Sequence, residues 1–82
     1  MNRVTLYSKA ECHLCEEARE VLERVRRDLP FALDQVLLQE GGEKFDEYTS
    51  LVPVVEVNGE RQFVYRVNEK RLRALLAGGK GE

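Results

Sequence analysis

Apolar and polar positions change period several times along the chain, and each change marks an element. Val4-Thr5-Leu6-Tyr7 reads as a short buried strand. From Leu14 onward the apolar residues fall at helical spacing, at Leu14, Ala18, Val21, Leu22, Val25 and Leu29. This predicts a helix from His13 to about Asp28, ending near Leu29-Pro30 because proline disfavours helical backbone in the residue before it. Its solvated face carries Glu16, Glu17, Arg19, Glu20, Glu23, Arg24, Arg26 and Arg27. Glu20 with Arg24, and Glu23 with Arg27, are predicted as i,i+4 ion pairs in the favourable order. Phe31 to Leu38 reads as a second strand, parallel to the first because a helix crosses between them.

Gln39 to Glu43 is a loop, and Lys44 to Ser50 a short helix with Phe45 and Tyr48 turned inward. Val54-Val55-Glu56-Val57 and Glu60 to Tyr65 then flank Asn58-Gly59, a pair suited to a type I′ hairpin because both central residues need positive φ. A last helix begins around Val67-Asn68-Glu69, with Asn68 as its cap, Leu72, Leu75 and Leu76 as its apolar face, and Gly78 as a stop. The order β-α-β-(short α)-β-β-α predicts an α/β sandwich around a four-stranded mixed sheet. The domain is expected to span residues 1–77, with 78–82 as a flexible tail.

Composition narrows the classes without changing this outline. The 82 residues suffice for one core and no second domain. A formal charge of −2, with signs interspersed, argues against a nucleic-acid surface. No run approaches transmembrane length and no signal-peptide pattern opens the chain, so no membrane partner and a cytoplasmic setting are expected.

The candidate chemistry is Cys12-His13-Leu14-Cys15, which contains both cysteines of the chain. Two cysteines at this spacing, where a strand gives way to a helix, can close a small disulfide and reopen it to a dithiol. The first N–H groups of a helix lack intrahelical partners and sit at the positive end of its dipole. A Cys12 thiolate would accept from Leu14 or Cys15 N–H, which should draw its pKa below the usual value of about 8.5. Lys9 would add to that effect, while Glu11, Glu16 and Glu17 oppose it. Cys15, on the inner side of the first turn, suits a resolving role.

Other readings of the pair are weaker. A zinc site wants about four ligands, and two cysteines with one histidine fall short of that. A purely structural disulfide over so short a loop would remove little chain entropy. Two inert core cysteines remain an alternative.

The chain resembles the thioredoxin-fold superfamily, specifically glutaredoxin and the short glutaredoxin-like proteins. Three stretches carry the likeness: Leu6 to Cys15, Leu51-Val52-Pro53, and the Asn58-Gly59 hairpin leading into the last helix. The resemblance implies a thioredoxin-like fold, with Cys12 as attacking thiol and Cys15 as resolving thiol. It implies that Pro53 is the family's cis-proline facing the cysteines, and that Val52 offers its backbone N–H and C=O to a substrate chain. By the same resemblance Lys9 would contact a glutathione carboxylate. His13, at a position often proline in the family, would tune the thiol.

Two departures bear on the substrate. Tyr65 and Arg66 replace a glycine pair that lets glutathione approach the backbone, and Leu51 replaces a threonine. Arg66 could stand in for an anion-binding loop or close the groove, so glutathione as co-substrate stays open. The expected function is thiol–disulfide oxidoreduction on protein or glutathione mixed disulfides, with no metal or organic cofactor. Glutathione or a thioredoxin-reductase-type partner would regenerate a monomeric protein. The alternatives from other classes are an iron–sulfur module held across a dimer and a non-catalytic adaptor.

Overall fold

A computed structural model describes residues 2–78. The elements in chain order are β1 (Arg3–Ser8), α1 (His13–Asp28), β2 (Ala32–Leu37), α2 (Phe45–Tyr48), β3 (Val54–Val57), β4 (Glu60–Val64) and α3 (Glu69–Gly78). The sheet runs β2-β1-β3-β4, with β1 and β2 parallel and the other pairs antiparallel. The mixed four-stranded sheet expected from the element order is therefore present.

Alternation divides the core between the two sheet faces. Val4, Leu6, Val55, Val57 and Phe63 meet Ala18, Leu22 and Val25 of α1 and Leu72 and Leu76 of α3. A second cluster gathers Cys15, Leu38, Tyr48, Val52 and Val54, with Tyr7 and Val64 partly buried against it. All four residues of β3 are buried, because this strand is flanked on both sides and covered on both faces. α1 belongs to the first cluster along its body but delivers Cys15 to the second.

The hairpin forms as its turn chemistry requires, with Asn58 at φ 53° and Gly59 at φ 88°. The Asn58 side chain also accepts from the Arg3 N–H at 2.9 Å and donates to Asn2 at 2.9 Å, tying the turn to the start of β1. Between Val55 and Glu56 the β3–β4 register shifts, so that Phe63 and Arg61 take successive positions and Gln62 is the extra residue of a bulge. Asn68 caps α3 by accepting from the Arg71 N–H at 2.9 Å.

Three sequence expectations are corrected. β4 ends at Val64, one residue before the predicted limit, because Tyr65 leaves the extended region at φ 69°. The i,i+4 pairs predicted along α1 give way to bonds between helices: Arg24 reaches Glu69 at 2.8 Å, and Arg73 joins Glu69 and Asp28, each at 2.9 Å. Glu23 pairs instead with Arg26 at 3.8 Å. Helix spacing alone could not reveal that α3 lies within reach of α1. Gly78 is the last residue of α3, and the rest of the expected tail lies outside the described residues. Among the described residues, no helix is long and apolar enough to cross a membrane.

Candidate active site

The site is built where β1 hands over to α1. Ser8 ends the strand and its carbonyl accepts from the Leu38 N–H at 2.7 Å, which anchors the exit. Glu11 then turns the chain with φ 56°, a left-handed conformation, and Cys12 follows in extended geometry as the N-cap of α1. The Cys12 Sγ accepts from the Cys15 N–H at 3.2 Å, taking the place that a serine or aspartate oxygen commonly fills at a cap. Cys12 and Cys15 are joined by a disulfide, with Cα atoms 5.2 Å apart. Cys12 is half-buried, whereas Cys15 is 4% exposed and packs into the second core cluster. The two sulfurs thus differ in access, the outer one being the one held at the helix start.

The Val52–Pro53 peptide bond is cis and Pro53 is fully buried. Val52 shares a cluster with Cys15, so the 51–53 segment forms one wall of the site. Tyr65 lies behind that wall: its N–H bonds to the carbonyls of Pro53 at 2.9 Å and Leu51 at 3.3 Å. Its phenol donates to the Ser50 carbonyl at 3.3 Å.

A small cleft of about 110 Å³ opens beside the sulfurs, lined by Ser8, Lys9, Glu11, Cys12, Cys15 and Arg19 among others. Lys9 therefore sits in the same cleft as the disulfide. A wider groove of about 230 Å³ starts at Leu14 and runs between α1 and the loop before α3, where Tyr65, Arg66 and Val67 line it. His13 is exposed and bonds Glu17 through Nε2 at 2.9 Å, so its ring addresses the helix surface. Of the residues picked out from sequence, Lys9, Cys12 and Cys15 line one cleft, while Val52 shares the core cluster of Cys15 and Pro53 is buried next to it in sequence. Arg66 belongs to the other groove.

Three features of the site's surroundings were missed. Arg19 lies one helical turn beyond Cys15, and its i,i+4 spacing was the available signal. Tyr65 stood out as the replacement for a glycine, but its left-handed turn and its bonds to residues 50–53 were not read from it. Glu56 points to the same sheet face as Val54 and is 9% exposed, with its carboxylate accepting from the Tyr48 hydroxyl at 2.7 Å. Burial, the hydrogen bond to Glu56 and that residue's charge push the Tyr48 hydroxyl up to about 12. Tyr7 packs edge-on against Tyr48 with ring centroids 5.0 Å apart. Its hydroxyl too is raised, by burial first and the Glu56 charge second.

This arrangement of an accessible sulfur on a helix cap, a buried partner sulfur and a cis-proline wall supports a thiol–disulfide oxidoreductase-like role. Comparison with solved structures agrees on the fold. A structural-genomics target protein from X. campestris, XcR50, is 30% identical with a TM-score of 0.74, covering 94% of this chain and 99% of that one. Thioredoxin O2 from Arabidopsis thaliana in its oxidized state is 21% identical with a TM-score of 0.67, covering 94% of this chain and 73% of that one. Residues 3–77 match the family described as "Glutaredoxin-like domain (DUF836)", which spans every element of the fold but the last residue of α3. The chain belongs to this glutaredoxin-like family.

Proposed function

We propose that the protein is a thiol–disulfide oxidoreductase that reduces protein or small-molecule disulfides through Cys12 and Cys15. The observation that carries this reading is the Cys12 Sγ at the N-cap of α1, half-buried, accepting the Cys15 N–H at 3.2 Å and bonded to a buried partner sulfur. When the disulfide opens, a Cys12 thiolate inherits that hydrogen bond and the positive end of the helix dipole, both of which favour the charged form over the thiol.

The reaction runs in two exchanges. The Cys12 thiolate attacks one sulfur of the substrate disulfide, forming a mixed disulfide and releasing the other sulfur as a thiolate. Cys15, having given up its proton to solvent, attacks the Cys12 sulfur. The second substrate sulfur leaves as a thiolate, and the Cys12–Cys15 bond closes. The substrate gains two electrons and the protein loses two. An external thiol, glutathione or the dithiol of a reductase, returns them. These steps need no metal or organic cofactor.

Substrate contact is assigned to the 51–53 segment. Among the described residues, the N–H and C=O of Val52 have no hydrogen-bond partner, which suits an extended substrate backbone laid beside Val52 as an added strand. Lys9 in the sulfur cleft offers a cation to a substrate carboxylate. Glutathione is a candidate reductant, and Tyr65 and Arg66, in place of the family's glycine pair, would narrow its approach.

The role assignment predicts an asymmetry between two variants. Cys12→Ser should abolish turnover of a glutathione mixed disulfide coupled to glutathione and its reductase. Cys15→Ser should accumulate a mixed disulfide on Cys12, detected as a mass increase removed by dithiothreitol. An adduct on Cys15 in the Cys12→Ser protein, with none on Cys12 in the other, would reverse the roles. No adduct on either would remove the enzymatic reading.

A further inference from the structure

Tyr65 combines three observations that belong together. It is a bulky, non-glycine residue at φ 69°, a conformation that persists only where the surroundings over-determine it. The residue is 49% exposed, so apolar burial does not hold it there. What holds it is a set of bonds to one short segment: its N–H reaches the Leu51 and Pro53 carbonyls, and its hydroxyl the Ser50 carbonyl.

Of the four successive carbonyls from Ser50 to Pro53, Tyr65 therefore occupies three. The fourth, that of Val52, has no partner among the described residues. The backbone N–H takes the Leu51 and Pro53 carbonyls, so it pins the Leu51–Val52 and Pro53–Val54 peptides that flank the Val52–Pro53 bond. We propose that Tyr65 is a positioning residue that clamps residues 50–53 so that the Val52 N–H and C=O are held ready for a peptide substrate's backbone. The inference rests on the redox reading above and adds specificity to it. The clamp favours disulfides carried on an extended peptide, and has no bearing on disulfides that lack a peptide backbone.

Substrate addition as a strand needs two backbone groups at fixed separation and direction, and flexibility in that segment would be lost on binding at a cost in affinity. A preformed segment avoids the cost. The bulk of Tyr65 is not required for the left-handed turn, which glycine would adopt with less strain. The phenol hydroxyl is the part of the side chain that bonds to the segment, and its removal isolates the clamp from the turn.

The test uses the reduced full-length protein and two disulfide probes: a short peptide disulfide-linked through its cysteine to a second copy, and 2-hydroxyethyl disulfide, which has no peptide backbone. Oxidation of the protein is followed in single turnover at increasing probe concentration. Tyr65→Phe should raise the half-saturating peptide concentration about three- to tenfold, the size of one net hydrogen bond, with the limiting rate unchanged. Its rate with 2-hydroxyethyl disulfide should stay within about twofold of the parent, a span smaller than half a hydrogen bond's worth. Tyr65→Gly keeps the backbone bonds and the turn while deleting the ring, and should show the same peptide defect. Equal slowing with both probes, or unchanged peptide saturation in both variants, overturns the clamp. A parent protein oxidised by 2-hydroxyethyl disulfide but not saturated by the peptide overturns the clamp alone. Inertness to both probes overturns the redox reading and the clamp with it.

Discussion

Tyr48 and Glu56 come from different elements, α2 and β3, and meet in the core at 2.7 Å beside the cluster that receives Cys15. Removal of either partner leaves the other buried without its bond, a loss worth about 1–3 kcal/mol for a neutral group. The tyrosine hydroxyl is raised from 10.0 to about 12 by burial and by the carboxylate that accepts from it. A raised pKa in the folded state means that folding favours the protonated form. Its contribution is complete below the ordinary value near 10 and disappears as pH climbs through about 12. The protein should accordingly lose stability over that window, measured as the urea midpoint at successive pH values. Tyr48→Phe should be less stable at neutral pH and show a shallower alkaline decline. Tyr7, raised in the same direction, still titrates in the variant. An unchanged slope would place the alkaline sensitivity elsewhere. Legibility at this scale followed locality. Cys12 as a cap and Asn58-Gly59 as a turn could be read because each depends on its immediate neighbours. Glu56 could not, because alternation gives its face but not what covers that face, and the cover is supplied by Tyr48.

At the scale of elements, the link between α1 and α3 is polar at its rim and apolar beneath. Arg24, Asp28, Glu69 and Arg73 form a connected set of ion pairs across the two helices, over Leu22, Val25, Leu72 and Leu76. Glu69 receives both arginines, and its hydrogen bonds to them hold its carboxyl below the ordinary 4.5. A lowered folded-state pKa gives a contribution that is present above the ordinary value and lost as pH falls through the depressed one. Glu69→Gln should therefore be slightly less stable than the parent at neutral pH and low salt. The difference should shrink at high salt, because these side chains are solvent-screened, and again in acid below about pH 4. Thermal melts of both proteins across salt and pH check this. A gap insensitive to both would assign the effect to helix capping or packing. The helices themselves were readable from period, but their rim pairs were not. Arg24 has two acidic residues at four-residue spacing on its own helix, Glu20 and Asp28, yet it bonds Glu69, which only the tertiary fold brings near.

Over the whole molecule, the redox bond and the bulk of the core are physically separate. The disulfide closes a loop of only a few residues at one end of α1, while the larger cluster packs the body of α1 and α3 against the sheet. Chain-entropy reasoning assigns so short a loop about 2 kcal/mol of stabilisation. A domain of this size is expected to have a total stability of roughly 4–12 kcal/mol, scaled per residue. Reduction should then lower stability without unfolding the chain, as a protein that alternates between disulfide and dithiol requires. By contrast, Leu22 is fully buried at the centre of the larger cluster, and Leu22→Ala should cost about 2–5 kcal/mol, comparable to or exceeding the loss on reduction. Denaturant unfolding of the parent with and without dithiothreitol, beside oxidised Leu22→Ala, compares the two directly. Cooperative unfolding at a modestly lower midpoint under reduction supports a fold indifferent to its redox state. Loss of the cooperative transition would mean that the disulfide staples the fold, and the case for its cycling would fall.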